Sequence, residues 1–152
     1  MPLRNTADTY GNLAKFLHWA IVLLIVPQYF LAEAADELPN GIEKLQLITW
    51  HKSLGMLVLL LALVRIGWKF ANRGLPGPVG KSWQRKAAVA THGLLYLLIL
   101  AQPLSGWLMS SAANYPVTLF GWFQFPALIG ENHARHEALA EVHELLFTLL
   151  LV

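Results

Sequence analysis

Six histidines are the residues of this sequence best suited to chemistry, because the chain contains no cysteine. The absence of cysteine excludes disulfides, thiolate metal sites, iron–sulfur clusters and thiol nucleophiles. Histidine and carboxylate side chains are therefore the candidate metal ligands, and a neutral imidazole binds metals through either ring nitrogen. Four histidines lie near the starts of apolar segments and two lie in the polar stretch before the last one: His18, His51, His92 and His143, then His133 and His136.

Four apolar segments must position these histidines. Since a membrane span needs about 20 apolar residues, the sequence predicts spans at about 14–34, 45–70, 85–111 and 137–152. The predicted fold class is all-α, a single domain over residues 1–152 that forms an up-down-up-down four-helix transmembrane bundle. The fourth segment is still apolar at Val152, so we expect the last helix to be incomplete. Gly74 to Pro78 is a loop signal between the second and third spans.

The composition agrees with a membrane protein. Hydrophobic residues make up 56% of the 152 residues and charged residues only 13%, about half the usual charged share of a soluble domain. This composition excludes a disordered chain. The eleven Lys and Arg residues are not interleaved with aromatics on a polar surface, so we expect no nucleic-acid partner. Membrane lipid is an expected partner.

Charge asymmetry predicts the orientation of the bundle. Eight of the eleven basic residues lie in the N-terminal tail and the second loop, and eight of the nine acidic residues lie on the other side. The positive-inside rule then places the N-terminus of this multi-pass membrane protein in the cytoplasm. The basic residues on the predicted cytoplasmic side are Arg4, Lys15, Arg65, Lys69, Arg73, Lys81, Arg85 and Lys86.

His51 and His143 are predicted at the same depth on two different helices, near the outer face. Two neutral imidazoles that face each other across a bundle can bind a haem iron from both sides, and this ligation favours electron transfer over oxygen binding. Gly55 follows His51 by four residues on the same helical face. It either leaves room for a haem or serves ordinary helix packing, in which glycine is common in membranes.

Arg65 and two further histidines are predicted near the cytoplasmic face. Arg65 lies 14 residues after His51, about 21 Å along the helix and on a similar face. It either pairs with haem propionates or is a snorkelling arginine of the membrane boundary. His18 lies at the same level, where His92 on the third span is its available partner. The other candidate partner, four turns inward from His143, falls beyond the end of the chain.

Short motifs on the four spans carry a family resemblance over essentially the whole chain. The sequence resembles the bacterial cytochrome b561 family, which is related to the cytochrome b subunit of nickel hydrogenases. The matching motifs, in chain order, are Phe16-Leu17-His18-Trp19, His51 with Gly55, Val64-Arg65, His92 with Tyr96, and Glu141-Val142-His143-Glu144.

The resemblance implies two b-type haems stacked across the bilayer. It implies that His51 and His143 ligate the outer haem iron. It also implies that His18 ligates the inner haem iron together with a histidine late in the fourth span, so one ligand pair is complete here. His92 then contacts propionates or a quinone, unless it replaces the missing ligand.

The resemblance further implies electron transfer between a donor at one face and a quinone or another carrier. One branch of the family resembles a superoxide:ubiquinone oxidoreductase. Lys52, beside His51, would attract superoxide, whereas Glu43, Glu141 and Glu144 would oppose that attraction.

Two other interpretations stay open from the sequence. The chain could be a haem-anchoring cytochrome b subunit of a larger dehydrogenase or hydrogenase, with a redox partner subunit. Alternatively, a haem-free metal site could form, since His133, His136, Glu137 and His143 lie within 11 residues and zinc accepts such ligands.

Overall fold

The structure, a computed structural model, describes residues 3–6, 9–72 and 80–151. The predicted loop from Gly74 to Pro78 lies outside these residues. The described residues form four helices and two short strands, in the order α1 (Asn12–Glu37), α2 (Ile42–Ala71), α3 (Ser82–Ala112), β1 (Val117–Leu119), β2 (Phe123–Phe125) and α4 (His133–Leu151).

The helices α1, α2 and α3 are long and apolar enough to cross a membrane, with 26, 30 and 31 residues. They contain the first three predicted spans and extend each by a few residues. Together with α4 they form a helical transmembrane bundle, so the predicted fold class is confirmed.

Helix α4 differs from its predicted span because it begins four residues earlier, at His133. Asn132 explains this start: its Oδ1 accepts a hydrogen bond of 3.0 Å from the Arg135 N–H and caps the first turn. Helix α4 carries four charged residues, Arg135, Glu137, Glu141 and Glu144. Length and composition therefore do not by themselves mark α4 as membrane-spanning.

Consecutive helices pack in antiparallel fashion, as the predicted up-down-up-down order requires. Ile21 of α1 forms a buried cluster with Val58 and Ala62 of α2, and Ile99 of α3 packs against it. Arg65 reaches back to Ala14, and His51 reaches back to Gln28, so α1 and α2 run in opposite directions.

A β-hairpin, which the sequence pattern does not predict, lies between α3 and α4. Val117 pairs with Phe125 and Leu119 with Phe123. The turn needs positive φ at Phe120 (52°) and Gly121 (76°), as in the tight turns that suit the twist of a hairpin. Ser53 of α2 holds the hairpin, since its Oγ donates to the Thr118 carbonyl (2.9 Å) and accepts from the Phe120 N–H (3.1 Å).

The two ends of the bundle differ in charge. We call the end with the hairpin, the C-terminus of α1 and the N-termini of α2 and α4 the acidic end. The opposite end, with the N-termini of α1 and α3 and the C-terminus of α2, is the basic end.

Candidate functional site

The structure brings His51 of α2 and His143 of α4 together. Their ring centroids are 6.3 Å apart and their ring planes are inclined by 76°. Two metal–nitrogen bonds of about 2 Å each, plus the half-widths of the two rings, also add up to roughly 6 Å. The spacing therefore suits one metal ion held between the two imidazoles.

His51 is oriented by a main-chain group of α1. Its Nδ1 lies 3.1 Å from the carbonyl oxygen of Gln28. A carbonyl oxygen only accepts hydrogen bonds, so Nδ1 carries the proton and donates it. The lone pair of the neutral ring is then on Nε2, which is the arrangement that metal-binding histidines commonly use.

His143 is oriented by two residues of α3. Its Nδ1 lies 2.9 Å from Ser105 Oγ, and that hydroxyl donates to the Gln102 carbonyl at 2.8 Å. The single hydroxyl hydrogen is thereby used, so His143 Nδ1 must donate to Ser105 Oγ. His143 Nε2 then carries the lone pair, which accepts a hydrogen bond from the Gln102 side-chain amide at 3.2 Å.

A cavity of about 570 Å³ lies beside the two histidines and is lined by all four helices. This volume falls within the range of about 300–1,000 Å³ found for cofactor pockets. The lining is mostly apolar, and its aliphatic and aromatic members include Ile25, Met56, Val58, Ile99, Trp107 and Phe147. A flat, apolar macrocycle suits this lining.

Two glycines line the cavity, and they differ in the space beside them. A Cβ atom at Gly106 would lie only 3.0 Å from His143 Cε1. At Gly55 the nearest atom to an added Cβ would be Gln28 Nε2, at 3.5 Å, which is an ordinary contact. Gly106 is therefore the residue that allows α3 to approach the His143 ring closely.

Two buried polar atoms in the cavity lining have no hydrogen-bond partner. They are Gln28 Nε2 and Gln102 Oε1, on α1 and α3. Buried polar groups are almost always paired, so each exception calls for an explanation. Their position beside the two histidines is consistent with a cavity shaped for a bound group.

Charged residues surround the cavity at the acidic end. Glu33, Asp36 and Glu144 line it together with Lys52. The Lys52 ammonium donates to the Pro116 carbonyl at 3.5 Å and lies 5.3 Å from the centre of the Tyr115 ring. The one cation of this group therefore contacts the segment that leads into the hairpin.

Comparison with known proteins identifies the family of the chain. The family model of prokaryotic cytochrome b561 matches residues 9–152. The chain belongs to the prokaryotic cytochrome b561 family.

Individual relatives resemble the chain over much of its length. Cytochrome b561 homolog 2 of Escherichia coli is 29% identical over 148 residues, which cover 94% of this chain and 77% of that protein. Cytochrome b562 of Cereibacter sphaeroides is 37% identical over 102 residues, covering 64% and 63%. Cytochrome b561 homolog 1 of E. coli is 26% identical over 140 residues, covering 90% and 78%.

Membership of the cytochrome b561 family establishes the general activity and the cofactor type. The chain is a membrane b-type haem protein of electron transfer. The cavity between His51 and His143 fits haem b in its ring spacing, its apolar lining and the lone pairs on both Nε2 atoms. The acidic end of the bundle thus contains a cavity of suitable size and lining for such a group.

At the basic end, the structure places Arg65 between α1 and α3. Its Nη1 donates to the Ala14 carbonyl at 2.7 Å, and its guanidinium carbon lies 5.9 Å from the centre of the Tyr96 ring. The Lys69 ammonium lies 4.4 Å from the same ring centre. Arg65 is therefore half-buried and bonded to protein, rather than simply extended toward the membrane boundary.

His18 and His92 are both exposed and occupy different environments. The His18 ring lies against Trp19, with a centroid distance of 5.4 Å. His92 Nδ1 donates to the Ala88 carbonyl of its own helix at 2.7 Å. Within the described part of the chain, no hydrogen bond or ring contact joins His18 to His92.

The alternative of a haem-free metal site at His133, His136, Glu137 and His143 finds no support in the described residues. No group of three or more His, Asp or Glu residues among residues 3–6, 9–72 and 80–151 is arranged to hold a metal ion. The members face different partners. His133 pairs with Glu137 at 3.6 Å, whereas His136 Nδ1 donates to the Met109 carbonyl at 3.0 Å.

The spacing of the histidines along the sequence does not reveal four other residues of the site, which are Gln28, Gln102, Ser105 and Gly106. A usable signal existed for the two glutamines, because each is a polar residue next to a proline in an uncharged apolar segment, and polar residues within membrane spans commonly mark function. Ser105 and Gly106 form a pair of small residues, which is frequent in helix contacts of any kind.

Proposed function

We propose that His51 and His143 bind one haem b between α2 and α4, and that this pocket passes electrons between a donor at the acidic end and a quinone in the membrane. The observation that carries this proposal is the 6.3 Å spacing of the two rings. Both rings carry their lone pair on Nε2, because both Nδ1 atoms donate to fixed oxygens. The iron would replace the Gln102 amide as the partner of His143 Nε2.

The ligand set favours electron transfer over other haem chemistry. Haem b supplies a one-electron ferric/ferrous couple when it is bound. If His51 and His143 both hold the iron, they leave no coordination position for dioxygen or peroxide. The mostly apolar side chains of the cavity lining would limit the reorganisation that a change of charge causes.

We further propose that the basic end lies in the cytoplasm, with the chain in the bacterial inner membrane and its N-terminus inside. The uneven distribution of Lys and Arg supports this orientation. His18, with Arg65 nearby on α2, would then serve a second haem at that face, with Arg65 and Lys69 as partners for its carboxylates. The contacts of His92 suit a peripheral role near such a haem or a quinone better than iron ligation.

Superoxide is a candidate donor because Lys52 follows His51 and lines the same cavity. One electron would leave superoxide, which becomes dioxygen, and would end on the quinone. Glu33, Asp36 and Glu144 line the same cavity and repel an anion. A Lys52→Gln variant should lower the rate of superoxide-driven reduction while leaving reduction by a neutral donor unchanged, and equal rates for superoxide would remove this candidate.

The ligand assignment is tested by reduced-minus-oxidised absorption spectra of purified, membrane-inserted protein with a measured haem-to-protein ratio. His51→Ala and His143→Ala should each abolish the low-spin spectrum of the haem at the acidic end. His92→Ala is the matched control, since this exposed histidine bonds only to its own helix, and it should retain that spectrum. An unchanged spectrum in both cavity variants would refute the assignment.

A further inference from the structure

We propose that Ser105 is a positioning residue for His143, which fixes the tautomer and ring orientation of this histidine and thereby tunes the reduction potential of the haem that it ligates. This inference rests on the proposed ligation by His143. It goes further by assigning a redox role to a hydroxyl group that never touches the iron.

The number of hydrogens on Ser105 Oγ fixes the directions of its hydrogen bonds. Ser105 Oγ has one hydrogen, and the Gln102 carbonyl, 2.8 Å away, can only accept it. The contact of 2.9 Å between Ser105 Oγ and His143 Nδ1 must therefore use the imidazole N–H as donor. A serine that did not donate elsewhere would leave both tautomers of His143 available.

Ser105 and Gly106 together hold the His143 ring in place. Ser105 is only 5% exposed, and its hydroxyl is bonded both to the main chain of α3 and to the ring on α4. Gly106, the next residue, leaves the His143 ring just enough space at Cε1. The adjacent pair thus fixes the ring: Ser105 sets its direction through a hydrogen bond, and Gly106 sets the closest approach of α3.

The hydrogen bond to Ser105 also changes the basicity of His143 as a ligand. An imidazole that donates its Nδ1 hydrogen to an oxygen is a more basic ligand through Nε2, and such outer partners typically change metal affinity ten- to a hundredfold. A more basic ligand stabilises ferric iron more than ferrous iron. Loss of the Ser105 acceptor should therefore weaken haem binding and raise the midpoint potential.

Of the two groups that accept the Nδ1 hydrogens of His51 and His143, only the Ser105 hydroxyl can be removed by a side-chain substitution. His51 donates to a main-chain carbonyl, Gln28 O, which no side-chain substitution removes. His143 donates to a side-chain hydroxyl. The two cavity histidines thus donate to different kinds of acceptor, a main-chain carbonyl and a side-chain hydroxyl.

The experiment is redox titration and haem quantification of Ser105→Ala and Ser105→Thr in the full chain. Ser105→Ala should bind haem about tenfold more weakly and titrate at a higher potential, where each tenfold difference between ferric and ferrous affinity corresponds to about 59 mV. Ser105→Thr keeps the hydroxyl and should restore a potential close to that of the parent.

Ser111→Ala is the matched control. Ser111 is equally buried on α3, and its hydroxyl donates to the Trp107 carbonyl (2.9 Å) and accepts from the Leu128 N–H (3.2 Å), with no histidine involved. The midpoint potential of the Ser111→Ala variant should equal that of the parent protein. An unshifted potential in Ser105→Ala, or an equal shift in Ser111→Ala, would overturn the proposal. Retention of the low-spin spectrum by His143→Ala in the same series would instead overturn the ligand assignment itself.

Discussion

Gly106 lies directly against the ring of His143, since a Cβ at this glycine would be 3.0 Å from His143 Cε1. This contact lies between α3 and α4, whereas the partner histidine, His51, is on α2. The position of one imidazole therefore depends on the absence of a side chain on a neighbouring helix.

Gly106→Ala should displace the His143 ring and lower haem occupancy, because an added methyl group at this distance forces the ring or the helix to move. The haem-to-protein ratio and the intensity of the low-spin absorption bands measure the effect. Gly55→Ala is the graded comparison, with its nearest atom at 3.5 Å, and Gly93→Ala is the control, with no atom within 4 Å. Equal haem occupancy in all three variants would contradict the steric role of Gly106.

Gln102→Ala should retain haem and take it up faster than the parent protein. The Gln102 amide donates to His143 Nε2 at 3.2 Å, so it competes for the lone pair that iron needs, and its Oε1 is buried without a partner. Stopped-flow absorbance after adding haem to the haem-free protein measures the rate. Slower uptake or loss of haem would show that the amide helps binding rather than competing with it.

Ser53→Ala should loosen the hairpin while leaving the histidine pair in place. The substitution removes the acceptor of the Phe120 N–H and the donor to the Thr118 carbonyl, and a lost buried hydrogen bond costs about 1–3 kcal/mol. Limited proteolysis should therefore cut residues 117–125 sooner, and the low-spin spectrum should persist. Thr49→Ala is a suitable control, because the Thr49 hydroxyl bonds only to its own helix at the Leu45 carbonyl. If the two variants are cleaved at the same rate, Ser53 does not secure the hairpin.

Arg65→Ala should destabilise the basic end, since it removes the 2.7 Å bond from the guanidinium to the Ala14 carbonyl between α2 and α1. Hydrogen bonds of charged groups contribute about 1.5–3 kcal/mol. Thermal unfolding in detergent should show a lower midpoint for Arg65→Ala and a smaller decrease for Arg65→Lys. Lys69→Ala, which removes only a contact with the Tyr96 ring, should have the smallest effect. A midpoint for Arg65→Ala equal to that of the parent would rule out this stabilising role.

The four helices and the proximity of His51 to His143 could be predicted from the sequence. Long apolar segments determine the number of helices, and the position of a residue within its segment determines its depth in the membrane. The sequence was insufficient for the hairpin, since strands of three residues carry no periodic pattern. The early start of α4 came from a single cap, Asn132. The hydrogen-bond partners of the histidines escaped prediction because they depend on which helix faces meet, which the spacing along one helix does not determine.

The two cavity histidines come from opposite halves of the chain, one from the pair α1–α2 and the other from the pair α3–α4. A single ligand shared by both halves binds only the assembled bundle, so its binding free energy adds to the free energy of folding. The amount of intact protein in a cell would then depend on the supply of haem. A shortage of iron would lower the level of the polypeptide as well as its haem absorbance.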